Sequence, residues 1–189
     1  FPDVAATVRR HLKSPTVRLL ELGLDGTVER VRADKPVTPV FLFAVLLWPA
    51  ILAAAGAPEG PMPSDPQVLL QAIDDVLGRQ LQRVALPKRF SLPMRDLLML
   101  QSRFERRSGR RALRLLEHPR FRAAYDFLLL RAAAGEADPE LAAWWTRLQE
   151  MPAEARLTEV ESQPKPEGET TAPRRRRRSR RRRPPGAAD

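Results

Sequence analysis

The sequence predicts an all-α protein, and three observations support this fold class. Apolar residues recur at three- and four-residue steps along most of the chain, as they do on the buried face of a helix. Proline follows a capping side chain at several points where such a pattern begins. No stretch alternates between apolar and polar residues at a period of two, as a half-buried strand would. Packed helices are therefore the expected architecture.

Two helices are expected at the N-terminus. The segment FPDVAATVRRHLK has a helical pattern, and Ser14-Pro15 matches an N-cap followed by proline in the first helical position. The second helix carries an apolar stripe of the kind that makes a helix amphipathic. The members of this stripe are Val17, Leu20, Leu24, Val28 and Val31.

A strongly apolar helix is expected over residues 39–55, with a kink at Pro49. Its apolar run is shorter than the ~20 residues that a membrane-spanning helix needs, so a buried core helix is predicted. No signal peptide is visible at the N-terminus, and a cytoplasmic protein is expected. Residues 56–65, rich in Gly and Pro, are predicted to form a linker.

More basic helices are expected over residues 66–150. Asp65-Pro66 begins one that runs to about residue 85 and ends in the turn LPKRF. The next spans residues 92–105 and directs leucines inward, at Leu97, Leu98 and Leu100.

Three further helices complete the predicted fold. A short helix capped by Ser108 ends near residue 117, where His118 is interpreted as a structural cap. Residues 119–134 form a helix whose buried stripe is Phe121, Ala124, Tyr125 and Leu128, while Arg120 and Arg131 share a different side. Asp138-Pro139 begins the last helix, which places one of Trp144 and Trp145 in the core and the other at its rim.

Positive charge is concentrated at the C-terminus. Residues 1–150 carry 22 basic and 17 acidic side chains, a net charge of +5, whereas residues 174–189 carry nine and one, a net charge of +8. Residues 151–189 contain little to bury, which predicts a disordered tail. The expected parts before it are a helical segment 1–55 that is the C-terminal part of a larger body, the linker 56–65 and a basic helical region 66–150. Nine tail arginines are expected to bind a polyanion: Arg174, Arg175, Arg176, Arg177, Arg178, Arg180, Arg181, Arg182 and Arg183. The alternatives for this block (174–183) are binding to an acidic protein or a solubilising role.

Residues 106–131 contain eight arginines and no lysine. On a helix over about 106–117, Arg107, Arg110, Arg111 and Arg114 would share one face, opposite Ala112, Leu113 and Leu116. Few carboxylates lie nearby, and the planar guanidinium group matches phosphate oxygens, so this face is predicted to contact RNA rather than only solvent. The predicted RNA-binding residues are Lys88, Arg89, Arg103, Arg106, Arg107, Arg110, Arg111, Arg114, Arg120 and Arg122.

Motifs for catalysis or metal binding are absent from the sequence. It contains no cysteine, no Gly-rich phosphate loop and no H-E-x-x-H, and its two histidines lie far apart. The neighbouring Asp74 and Asp75 cannot both point at one metal ion from a helix. We therefore expect no catalytic residue, metal site or cofactor in this chain.

A long run of residues resembles a known family. The segments LPKRFSLPMRDLLMLQSRFERRSGRRALRLLEHPRFRAAYDFLLLRA and ELAAWWTRLQE, followed by an arginine-rich tail, are similar to the C-terminal region of bacterial poly(A) polymerases. The resemblance covers residues 1–150 in outline and is most specific over 86–150. It implies a parent enzyme that adds AMP from ATP to RNA 3′ ends without a template, using Mg²⁺. The catalytic head of that family lies N-terminal to the matched region, so an inactive piece of a larger protein is expected.

Two other interpretations remain open at this point. The chain could belong to a CCA-adding tRNA nucleotidyltransferase, or it could be a non-enzymatic helical module that binds RNA or docks a protein. Single-stranded RNA 3′ ends are the expected partner of a monomeric chain, and RNA-degradation or RNA-chaperone proteins are considered as further partners.

Overall fold

A computed structural model describes residues 1–82 and 87–164, and this part of the chain contains nine α-helices and no strand. The helices are α1 (Pro2–Arg10), α2 (Pro15–Arg32), α3 (Pro39–Ala54), α4 (Pro66–Leu81), α5 (Lys88–Phe104), α6 (Arg110–Leu116), α7 (Phe121–Ala133), α8 (Pro139–Glu150) and α9 (Ala153–Ser162). The predicted all-α class is confirmed. The prediction of a disordered tail lies, for residues 165–189, outside the described residues.

Side-chain caps followed by proline begin three helices at the predicted residues. Ser14, Asp65 and Asp138 each accept a hydrogen bond from a backbone N–H two or three residues later, at 2.8–3.2 Å. Each bond satisfies an N–H group that has no partner within its helix. Because this signal involves only neighbouring residues, the sequence alone locates these helix starts.

The apolar helix α3 is buried, as predicted. Leu47, Trp48, Ile51 and Leu52 are fully inaccessible to solvent, and α3 contacts α1, α2, α4, α5 and α7. Within the described ranges, no helix is both long enough and apolar enough to cross a membrane.

Close contact between α2 and α3 depends on Gly23. A Cβ atom at this position would lie 2.5 Å from Val45 Cγ1 and 3.2 Å from Leu130 Cδ2.

We expect Gly23→Ala to lower the free energy of unfolding by about 1–2 kcal/mol, because α2 must move away from α3. Gly26, one turn further along α2, has no such neighbour within 4 Å. Gly26→Ala is the matched control and should raise stability by up to about 1 kcal/mol. Urea denaturation measures both effects, and equal changes in the two variants would contradict this account.

The C-terminal half has an aromatic core formed by α5, α7 and α8. Trp145 packs edge-on against Phe104, with ring centroids 5.1 Å apart, and its indole N–H donates to the Phe104 carbonyl oxygen at 2.9 Å. The prediction that one tryptophan lies at the rim is wrong, because Trp144 and Trp145 are only 3% and 0% exposed. Trp144 is covered by α9, and its indole N–H donates to Glu159 Oε1 at 2.6 Å.

The helix α9 corrects the predicted start of the tail at residue 151. Its segment has few apolar residues, but Val160 is fully buried against the core. Arg156 donates to the carbonyl oxygens of Leu148 and Gln149, at 3.0 and 2.7 Å, and thereby caps the C-terminal end of α8. Tertiary contacts therefore hold a segment whose composition favours disorder.

Two other predicted helix boundaries are wrong. The helix predicted over 92–105 begins at Lys88, so part of the expected LPKRF turn is helical. The helix predicted from about 106 begins only at Arg110.

Arg131 is buried, although the sequence pattern placed it on the side shared with Arg120. It is 1% exposed, and its Nε donates to Glu136 Oε1 at 3.1 Å. The other carboxylate oxygen of Glu136 accepts from the Trp48 indole N–H at 2.7 Å, and the Arg131 guanidinium lies 5.5 Å from the centroid of the Trp48 ring. This cluster joins α3 to the end of α7.

Candidate nucleic-acid interface

The ten residues predicted to bind RNA occupy three regions of the structure. Lys88 and Arg89 lie in the first turn of α5, and Arg120 and Arg122 lie at the start of α7. The other six lie between the end of α5 and the end of α6: Arg103, Arg106, Arg107, Arg110, Arg111 and Arg114. Nine of the ten are exposed, whereas Arg107 is half-buried.

The connection between α5 and α6 sets the directions of these arginines. Gly109 precedes α6 with a φ of +68°, a conformation that favours glycine and that ends the helical path assumed for residues 106–117. Its N–H donates to the Val160 carbonyl oxygen of α9 at 2.9 Å. Arg107 therefore lies outside α6 and does not continue the helical face of Arg110, Arg111 and Arg114. On the opposite side of α6, Ala112 and Leu115 are the buried residues, and Leu116 is only partly buried.

Four arginines from the two helix ends surround one cavity of about 200 Å³. Arg103 comes from the last turn of α5, Arg106 from the connection, and Arg111 and Arg114 from α6. Leu115 completes the lining. We call this set, Arg103, Arg106, Arg111 and Arg114, the arginine cleft.

Four of the five residues that line the arginine cleft carry a positive charge. Within the described parts of the chain, Arg103, Arg106 and Arg114 form no ion pair with a carboxylate. Guanidinium groups directed into one concavity repel each other unless an anion lies between them. Phosphate is a suitable anion, because each guanidinium can donate two parallel hydrogen bonds to its oxygens.

The sequence pattern named all four cleft residues but did not group them as the cavity does. It placed Arg107 and Arg110 together with Arg111 and Arg114, whereas the structure replaces the first two by Arg103 and Arg106. The three-residue spacing within each pair was visible in the sequence. The approach of the two pairs depends on the turn at Gly109, which the pattern did not reveal.

The basic residues near α7 and at the start of α5 have different surroundings. Arg122 pairs with Asp126 at 3.1 Å and also lies 5.8 Å from the centroid of the Tyr125 ring. Burial raises the pKa of the Asp126 carboxyl, and the neighbouring Arg122 opposes this rise. Arg89 lies 4.9 Å from the centroid of the Phe90 ring. These contacts leave Arg122 less available to an anion than Arg103, Arg106 and Arg114.

Two side chains considered for other chemistry have structural contacts. His118 Nδ1 accepts a hydrogen bond from the Arg120 N–H at 3.1 Å in the turn between α6 and α7, whose own cap residues are Glu117 and Arg120. Asp74 accepts two hydrogen bonds from Arg95, at 2.6 and 3.0 Å, and these bonds hold the pKa of its carboxyl below the usual value. Among residues 1–82 and 87–164, no group of three His, Asp or Glu side chains is arranged to hold a metal ion.

Comparison with known proteins identifies the family. Residues 63–183 match the family model described as polymerase A arginine-rich C-terminus. The chain belongs to this family. The predicted resemblance to the C-terminal region of bacterial poly(A) polymerases is therefore confirmed.

Several curated relatives match nearly the whole chain. Poly(A) polymerase I of Escherichia coli O6:H1 is 38% identical over an alignment of 182 residues, and the match covers 92% of this chain and 39% of the relative. The same protein of Salmonella typhi is 37% identical with the same shares. The Haemophilus influenzae protein is 32% identical over 181 residues, 92% of this chain and 40% of the relative. The chain thus spans about two fifths of the length of these relatives.

Proposed function

We propose that this chain is the RNA-holding, C-terminal part of a bacterial poly(A) polymerase that adds AMP from ATP to RNA 3′ ends without a template. The observation that carries the proposal is the convergence of four arginines on one cavity. Such a concentration of guanidinium groups is what a track for an RNA backbone requires. Family membership favours the same partner.

Nucleotide transfer is assigned to the part of the protein that precedes this chain. The family implies Mg²⁺ and ATP, but the donor set of the described residues does not fit a pair of catalytic metal ions. Asp74, for example, is held by Arg95 rather than directed toward another carboxylate. The chain alone should bind RNA without extending it, in the cytoplasm and as a monomer.

The arginine cleft recognises phosphates and therefore should not select a base sequence. Contacts to phosphate oxygens set position and affinity, whereas base edges carry the sequence information. Within the described residues, no aromatic ring lines the cleft, and Phe104, which follows Arg103 in α5, is buried in the core and is not available to stack on bases. We therefore expect oligo(A) and mixed-sequence RNA to bind with similar affinity.

Binding of both labelled RNAs to residues 1–164 and to residues 1–189, across a salt series, tests the proposed function. We expect the shorter chain, which retains α9, to bind both RNAs with an affinity that falls as salt rises. The longer chain should bind more tightly, because the arginine block 174–183 adds phosphate contacts. If residues 1–164 fail to bind while residues 1–189 bind, the cleft has only a structural role and the tail carries the interaction.

A further inference from the structure

The apolar stripe of α2 is buried at one end and exposed at the other. Val17 is 3% exposed and Leu20 is partly buried against the core. Further along the same stripe, Leu24, Val28 and Val31 are 39%, 47% and 64% exposed. Apolar residues that share one face of a helix are expected to pack against neighbouring elements along the whole length of that face. The C-terminal half of the stripe therefore lacks a packing partner within the described part of the chain.

Exposed apolar side chains are concentrated in the N-terminal part of the sequence. Of the nine large apolar side chains that are exposed in the described residues, five lie within the first 31 positions. Phe1 and Leu12, at 41% and 66% exposure, join the three residues of α2. Single exposed apolar residues are ordinary, but a cluster along one helix indicates a contact surface.

An acidic row runs beside the exposed half of the stripe. Glu21, Asp25 and Glu29 follow each other at four-residue steps, and all three are exposed. Within the described ranges, none of them forms an ion pair. A helix that packs on this surface should therefore carry apolar residues at three- and four-residue steps and basic residues along one edge.

The size of the surface favours a segment of the same polypeptide over a separate molecule. A stable complex between two proteins buries about 1,200–2,000 Å² in total, far more than three half-exposed side chains provide. A segment of the same polypeptide is present near the surface at an effective concentration in the millimolar range. A small contact surface is therefore sufficient for it to dock. More than half of each relative lies outside the matched region, and the matched family model is a C-terminal one, so this additional sequence lies on the N-terminal side.

We infer that the exposed half of the α2 stripe is the docking surface for an amphipathic helix with a basic edge, from the part of the polymerase that precedes this chain. The inference shares one assumption with the proposed function, namely that the chain is the C-terminal part of a longer protein. The contact joins the RNA-holding part to the remainder of the enzyme through α2, and the arginine cleft takes no part in it.

Amide hydrogen exchange over residues 24–32 tests this inference. We expect exchange in this segment to be at least about tenfold slower in the full-length protein than in the isolated chain, because docking protects the exposed half of α2. The double variant Val28→Asp, Val31→Asp should restore the fast rate in the full-length protein and leave the isolated chain unchanged. The matched control is Leu92→Asp, Leu157→Asp, which alters two leucines of similar exposure on α5 and α9. The control should leave exchange over residues 24–32 slow.

Two results would overturn the inference. The first is equal exchange over residues 24–32 in the full-length protein and in the isolated chain. The second is protection in the isolated chain that grows with protein concentration and disappears in the Val28→Asp, Val31→Asp variant, because this would identify a second copy as the occupant. RNA binding by the same samples is measured separately. Failure of the proposed function would abolish RNA binding without changing the exchange of α2.

Discussion

Replacing Arg131 by methionine is expected to lower the free energy of unfolding by about 3–5 kcal/mol. The guanidinium is buried and its main partner is the carboxylate of Glu136, whose own side chain is fully inaccessible to solvent. Methionine fills much of the same volume, so the change in packing contributes little. The larger effect is that the Glu136 charge stays in the interior, where the Trp48 indole N–H is its one remaining side-chain donor among the described residues.

A second variant separates the buried charge from the change of shape. In Arg131→Met, Glu136→Gln the charge is removed, and the Gln side chain still offers an oxygen to the Trp48 indole N–H. This double variant should recover more than half of the stability that the single variant loses, since replacing both members of a buried pair is far less destabilising than removing one. Urea denaturation provides both values. A single variant that loses less than about 1 kcal/mol would show that the pair is not a principal support of the fold.

The second large effect is expected at the arginine cleft. Changing Arg103, Arg106, Arg111 and Arg114 together to Gln should reduce the salt slope of RNA binding by about 0.7 for each phosphate that is no longer neutralised, and by about 2.8 if each arginine binds one phosphate. At about 0.1 M salt this corresponds to a roughly 100- to 1,000-fold weaker affinity. None of the four side chains is buried, so stability should change little.

Two control variants make this result specific to the cleft. Changing Arg9, Arg10, Arg18 and Arg32 to Gln removes the same total charge from exposed positions on α1 and α2. It should produce a much smaller change, because exposed charges more than a Debye length from the RNA are largely screened. The pair Arg107→Gln, Arg110→Gln tests the grouping that the sequence pattern suggested. Equal reductions in affinity in the cleft variant and the α1–α2 variant would mean that only the net charge of the protein matters.

Several elements of the fold were predictable because their causes are local. Ser14, Asp65 and Asp138 cap helices at the residues that the sequence indicated. Leu97 and Leu98 are buried as the helical period predicts. A cap bonds to an N–H two or three residues away, and a helical face repeats every 3.6 residues, so neither signal needs distant parts of the chain.

The helix α9 and the covering of Trp144 were not predictable in this way. The segment 153–162 contains little to bury, and it is helical because Val160, Glu159 and Arg156 each contact another part of the fold. The Trp144 indole N–H in turn donates to Glu159 of the same helix. The amino-acid composition of a segment indicates whether that segment can fold alone. It contains no information on contacts with residues elsewhere in the chain.

The sequence by itself determined the all-α class, the helix starts at capped prolines, the excess of arginine and the family. The tertiary structure decided which arginines lie around one cavity and which one is buried. Arg131 is buried because Glu136 and Trp48 approach it from the end of α7 and from α3. Arg103 and Arg106 join Arg111 and Arg114 because the backbone turns at Gly109, where α9 holds it. The energy of a charged side chain depends on neighbours in space, and the three-dimensional path of the chain selects those neighbours.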